Sequence, residues 1–262
     1  MELFTVDAFT AQPFTGNPAG VCLLDGPRET AWMGAVAREM NLSETAFLLR
    51  EGPHWRLRWF TPRVEVDLCG HATLGTAHVL REKGLLLPGE TVRFHTRSGE
   101  LTASAEEDRL VLNFPAKEIT ACPPPEGLLE ALGVPDPLFV GKNVFDYLVE
   151  VASDAQVRSL APDFPRLASL EARGTMVTAR STDPRFDCVS RFFAPRVGVP
   201  EDPVTGSAHC ALGPYWGSKL EKGRISAFQA SERGGTMEVV LALPRVLLKG
   251  QAVTVLRGHL EA

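Results

Sequence analysis

The chain has 262 residues, a net charge of −5, 44% hydrophobic and 23% charged residues, the balance of a globular protein long enough for one large domain or two small ones. It shows no apolar run of about 18 residues and no long Lys/Arg cluster. A membrane span and an electrostatic nucleic-acid surface are therefore not expected. The N-terminal stretch MELFTVDAFT lacks a basic leader and an apolar run, which points to a cytoplasmic protein with a small-molecule partner.

In chain order, residues 2–8 alternate as a strand, PFTGNPAG (13–20) carries too many turn formers to be regular, and VCLL (21–24) reads as a second strand. Residues 28–40 place Trp32, Val36, Ala37 and Met40 on one helical face, with Asn41 as the stop. Residues 45–49 resume a strand, and Glu44 sits at the junction in NLSETAFLL. HWRLRWF (54–60) has period two, and residues 72–83 suit a helix ended by Gly84. An antiparallel meander is predicted over 91–115.

Composition changes at PAKEITACPPPEG (115–127), the best linker candidate. Beyond it, short helices are predicted over 126–132, 155–160 and 164–171, strands over 143–151 and 174–180, a helix over 208–220 and a final strand over 252–257. The five cysteines, Cys22, Cys69, Cys122, Cys188 and Cys210, form no CxxC pair and are expected as reduced thiols.

One phrase occurs twice. RWFTPRVEV (58–66) is followed by CGHATLG (69–75), and RFFAPRVGV (191–199) by TGSAHCALG (205–213). Each leads into a helix that closes on Glu-Lys-Gly, and FHTRSGELTA (94–103) is echoed by FQASERGGTMEV (228–239). A unit of about half the chain, repeated once, implies two pseudo-symmetric domains rather than a solenoid. The halves are drawn at 1–115 and 116–262, with the C-terminal strand a candidate for crossing back to the first.

The copies differ where chemistry would sit. Gly70 and Gly206 each open a helix, whose unpaired N–H groups can receive a carboxylate or phosphate; the alternative is close helix–strand packing. His71 follows the first glycine, as a proton donor or acceptor or as a cap residue. Ser207 follows the second, suited to donate to a carboxylate. Asp202, in Glu201-Asp202-Pro203, either orients a proton shuttle or forms a turn. Glu44, beside an apolar strand, is either a partly buried acid/base group or a solvated helix-end glutamate.

Taken together, NPAGV, NLSETAF, CGHATLGTA and EDPVTGSAH resemble the PhzF-like phenazine-biosynthesis family, which shares the diaminopimelate-epimerase fold. The motifs run in order over nearly the whole chain. The resemblance implies an α+β fold of two similar domains, each a mostly antiparallel sheet wrapped around a central helix, with a site where the helix N-termini meet. It implies an isomerase, with Glu44 moving a proton between carbons of a small unsaturated or amino carboxylic acid and with His71 and Asp202 assisting. Gly70, Gly206 and Ser207 match the positions that hold a substrate carboxylate. No metal or organic cofactor is implied, and a homodimer is. The epimerase branch uses two opposed cysteines; here the first is Cys69 but the second is Thr205, barely acidic near neutrality, so two-thiol epimerisation is disfavoured and Cys69 reads as a packing residue, with a minor role left open because some PhzF-like sequences carry alanine there. An amino-acid racemase and a non-catalytic carboxylate-binding protein are the rival readings.

Overall fold

A computed structural model describes residues 1–261. The chain forms two compact units: Met1–Phe114 with the described residues from Leu247 on, and Pro115–Val246. The first unit begins β1 (Glu2–Ala8), β2 (Asn17–Leu24), α1 (Thr30–Met40), β3 (Glu44–Glu51), β4 (His54–Phe60), β5 (Glu65–Val66) and α2 (Gly70–Glu82), and continues β6 (Thr91–Thr96), β7 (Gly99–Ala105) and β8 (Leu110–Pro115). The second contains β9 (Thr120–Ala121), α3 (Leu128–Leu132), β10 (Phe139–Lys142), β11 (Asp146–Glu150), α4 (Asp154–Ser159), α5 (Phe164–Ser169), β12 (Gly174–Arg180), β13 (Cys188–Phe193), α6 (Gly206–Leu220), β14 (Arg224–Gln229) and β15 (Gly235–Ala242). Then β16 (Arg245–Gly250) spans the boundary, and β17 (Ala252–His259) pairs with the full length of β1.

The duplication extends to the order and sense of six strand pairings in each unit. In the first unit β17 is antiparallel to β1, β1 antiparallel to β2, β2 parallel to β3, β3 antiparallel to β4, β4 parallel to β6, and β6 antiparallel to β7. In the second unit β9, β10, β11, β12, β13, β14 and β15 follow in the same sequence of senses. The crossovers between the parallel pairs carry α1 and α2 in one unit, and α4, α5 and α6 in the other, because parallel neighbours cannot be joined by a tight turn.

Each sheet surrounds one helix. Nine of the 13 residues of α2 are buried, among them Ala72, Leu74, Ala77, Val79 and Leu80, as in a helix enclosed by a core. The helix α6 is packed more closely still. A Cβ added at Gly213 would lie 2.4 Å from Val239 Cγ1, and one at Gly217 would lie 2.4 Å from Leu241 Cδ1, so only glycine lets β15 approach.

Pro214 stands inside α6 and cannot donate to the Cys210 carbonyl four residues back. The Lys117 backbone N–H does so instead, at 2.9 Å. The proline-rich segment 115–127 is thus not a free linker: it supplies this bond and β9, which pairs with β10. Outside the first sheet, Met33, Val36 and Ala37 of α1 pack with Phe47 and Phe60, and α1 stops at Asn41, whose left-handed φ of 49° is tolerated by asparagine. All five cysteines are free. Among the described residues no helix is long and apolar enough to cross a membrane.

The segment NPAG differs from its expectation: it is regular and begins β2. Asn17 and Ala19 are buried, and Pro18 lies opposite Asp7 of β1, one residue before the pairing with β3 starts at Ala19. Its missing N–H therefore costs no bond on the β3 side.

Candidate active site

Glu44 is the first residue of β3, placed beside Ala19 by the parallel β2–β3 register. Cys69, in extended backbone (φ −142°, ψ 111°), is the N-cap of α2 without a side-chain cap bond, and His71 is the second residue of the helix. These elements bring three side chains together within the first unit. His71 Nε2 lies 3.2 Å from Glu44 Oε2, close but without the alignment of a full hydrogen bond. The other ring nitrogen, Nδ1, lies 3.5 Å from Cys69 Sγ.

His71 is only 5% exposed. Burial pushes its imidazole down to about 3, since the apolar interior disfavours the charged ring. It is neutral at physiological pH, so its contact with Glu44 is that of a neutral imidazole and not an ion pair. Glu44 keeps some solvent access, its side chain being 18% exposed.

One donor atom from each of Glu44, Cys69 and His71 falls within a 4.8 Å cluster, the kind of mixed O, S and N set that can bind zinc. Within it Glu44 lies nearest Nε2 and Cys69 nearest Nδ1, so the arrangement gathers three proton donors and acceptors at one place.

The second unit carries a different network. Asp202 follows Glu201, and Glu201 is held by Arg191 through Nε–Oε1 (2.7 Å) and Nη2–Oε2 (2.8 Å). The first copy has the same fork, Arg58 on Glu65 at 2.7 and 2.8 Å, with each glutamate five residues before its helix-opening glycine. Planar bidentate pairing of this kind fixes orientation as well as position. The residue after the glutamate is Val66 in one copy and Asp202 in the other.

The Thr205 hydroxyl donates to Asp202 Oδ2 at 2.6 Å, so this position, a cysteine in the first copy, orients a carboxylate. Gln229 locks the loop. Its Oε1 accepts from Thr205 N–H at 2.9 Å, and its Nε2 donates to Asp202 C=O at 2.6 Å and to Thr205 Oγ1 at 3.2 Å. Gly206 and Ser207 are the first two residues of α6, whose N-cap Thr205 makes no side-chain cap bond. Ser207 is partly exposed. Three residues beyond each glycine, a side chain bonds the N-cap carbonyl: Thr73 Oγ1 to Cys69 O (2.5 Å), and His209 Nδ1 to Thr205 O (2.8 Å). Burial pushes His209 down to about 4.

Thus Glu44 and His71 are in contact in one unit, while Asp202, Gly206 and Ser207 share one loop and helix start in the other. The sequence reasoning missed Gln229 and the Cys69–His71 contact. Gln229 was findable, because it takes the place of His95 in the FHTRSG/FQASER echo, and unlike residues at equivalent points were already the signal that singled out His71 and Ser207.

Residues 6–258 match the family model for phenazine biosynthesis-like proteins. The chain belongs to this family. It is 51% identical over 259 residues to an uncharacterized isomerase of Halalkalibacterium halodurans, covering 98% of this chain and 97% of the relative. An uncharacterized isomerase of Pseudomonas aeruginosa is also 51% identical, over 261 residues, with 100% and 99% covered. Among solved structures, a PhzF-family phenazine biosynthesis protein of Enterococcus faecalis superimposes with a TM-score of 0.94 at 38% identity, covering 100% of this chain and 99% of that one. The fold is therefore the α+β, diaminopimelate-epimerase-like one of PhzF-family proteins.

Proposed function

We propose that this PhzF-family protein is an isomerase that moves a proton between carbons of a small unsaturated or amino carboxylic acid by general acid/base catalysis. The observation that carries the reading is the Glu44 carboxylate at the start of β3, 3.2 Å from a buried, neutral His71. Glu44 takes a proton from one carbon and returns it to another, so the atoms of the substrate are conserved. A neutral imidazole at Nε2 offers an N–H to the charge that develops as the proton leaves. Asp202, oriented by Thr205 and Gln229, assists proton transfer, and Gly70, Gly206 and Ser207 receive the substrate carboxylate, the roles that the family resemblance implies. The relatives named isomerases support the reaction class. A homodimer in the cytoplasm belongs to the same reading and rests on the resemblance and the sequence alone.

The test is a screen of unsaturated and amino carboxylates for deuterium uptake from heavy water. Glu44→Gln is expected to fold normally and to lose about 10²–10⁴ in exchange rate, the usual contribution of one general acid/base group. Unchanged exchange in that variant refutes the assignment. Chiral and positional analysis of the product then separates migration between two carbons from inversion at one.

A further inference from the structure

The proposed proton chemistry depends on which nitrogen of a neutral His71 carries its single hydrogen, and the residue that sets this is Cys69. We infer that Cys69 is a positioning residue: its thiol donates to His71 Nδ1 and so holds the ring as the Nε2–H tautomer facing Glu44. The inference rests on the reading of Glu44 and His71 as the proton-transfer pair, but its structural content stands without it.

The argument starts from burial. His71 and Cys69 are 5% and 6% exposed, so water is a poor substitute for a missing partner at Nδ1. A neutral imidazole has one donor nitrogen and one acceptor nitrogen, and the hydrogen bond made at one fixes the state of the other. At Nε2 stands a carboxylate oxygen, 3.2 Å away. An ionised carboxylate is acceptor-only, and a bare nitrogen lone pair this near to it is repelled even though the contact is not fully aligned, so the proton belongs on Nε2. Nδ1 is then the acceptor and needs a donor. Cys69 Sγ, at 3.5 Å, is the group in place, and a thiol can donate.

The local backbone is built for this contact. Cys69 is the N-cap of α2, yet its side chain makes no cap bond and turns to the ring two residues on. Thr73 Oγ1 bonds the Cys69 carbonyl at 2.5 Å, which holds the residue in place. In the second copy, the equivalent Thr205 also makes no side-chain cap bond and gives its donor to Asp202. Both N-cap side chains therefore orient a polar group of their own unit, and the lost symmetry between Cys69 and Thr205 reflects two different groups to be oriented. A proton chain that ends in a buried thiol also has no easy exit: moving the Nε2 proton onto Glu44 and replacing it from Cys69 would leave a buried thiolate. His71 is then a fixed donor, and the mobile proton stays with Glu44.

The experiment is nitrogen NMR at neutral pH on the full chain with ¹⁵N-labelled histidine, the His71 signals being assigned by their loss in His71→Asn. The expected wild-type result is a pyrrole-type Nε2 and a pyridine-type Nδ1 shifted by an accepted hydrogen bond. In Cys69→Ala the Nδ1 signal should move to its unbonded position, with a three- to tenfold fall in the Nε2–H to Nδ1–H ratio, the range for loss of one hydrogen bond of about 1 kcal/mol. Cys69→Ser restores a donor and should return both signals toward wild type, whereas Cys69→Val, which fills the site without a donor, should behave as Cys69→Ala. A protonated Nδ1 in the wild type, or an Nδ1 signal unmoved by Cys69→Ala, overturns the inference. Should Cys69→Ala not fold, the wild-type tautomer and the Ser/Val contrast decide. Absence of Glu44-dependent exchange would count against the proposed function alone, since the NMR readout needs no substrate.

Discussion

Replacing Gln229 by leucine keeps most of the buried volume and deletes the side-chain hydrogen bonds of a residue that is 1% exposed. The lost bonds are Thr205 N–H to Oε1 and the donations from Nε2 to Asp202 C=O and Thr205 Oγ1. The Thr205 N–H is left without this partner on a residue 6% exposed, and an orphaned buried donor costs about 1–3 kcal/mol. The Asp202 carbonyl, on a partly exposed residue, can recover some bonding from water and adds about 1 kcal/mol. The expected total is about 2–4 kcal/mol, or a Tm lower by about 4–16 °C for a chain of this size. Urea unfolding measures it. Trp216 is the one tryptophan of the second unit and is buried, so its fluorescence reports there, with circular dichroism as the global probe. A midpoint within about 0.5 kcal/mol of wild type, the scatter of ordinary surface substitutions, would refute the view that Gln229 locks the Asp202 loop. Gln229→Glu should be at least as harmful at neutral pH, because a carboxylate oxygen would then face the Asp202 carbonyl.

Other outcomes follow from the same geometry. His209 is held neutral, its folded value near 4 lying below the usual 6.5, so the unfolded chain takes up the proton first as pH falls. The stability that His209 contributes is full above pH 6.5 and is lost by pH 4, a fall of about 3 kcal/mol. His209→Asn, whose amide can keep the bond to Thr205 O, should flatten that part of the urea-midpoint profile, and an unchanged slope would count against it. Arg191→Met should cost about 3 kcal/mol by stranding Glu201, and more than Arg58→Met, because Glu65 retains Arg97 at 3.0 Å while Arg191 also holds Leu160 O at 2.7 Å; equal losses in chemical denaturation would contradict the comparison. Gly75→Ala should be neutral or stabilising by about 0.5–1 kcal/mol, its Cβ meeting Val6 at an ordinary 3.5 Å. Gly213→Ala, against Val239 at 2.4 Å, should lose about 1–3 kcal/mol; thermal melts of both would expose an inverted order.

Much of this architecture was written in the chain because the repeat preserved it. The two central helices, their glycine openings and the flanking strands are local patterns of period and punctuation, and α6 was legible despite Pro214. What escaped was whatever needed a distant partner. Pro18 looked like a break until β1 supplied its pairing. The strand β10, Phe139–Lys142, is too short to show a period by itself and exists through β9 and β11. At the candidate site, the residue types of Glu44, His71 and Asp202 were readable, but not the burial that neutralises His71 or the contact with Cys69. Both are properties of packing and have no signature in spacing.

The pairing of β17 with β1 sets a timetable for synthesis. Residues 2–114 leave the ribosome with the outer edge of β1 lacking its strand partner, and that partner begins only at Ala252. At about 5–20 residues per second, the edge waits on the order of 10 s. An unpaired strand edge is a template for other chains, so the nascent first unit passes through a window of exposure that closes only when β17 is made, after the whole of the second unit.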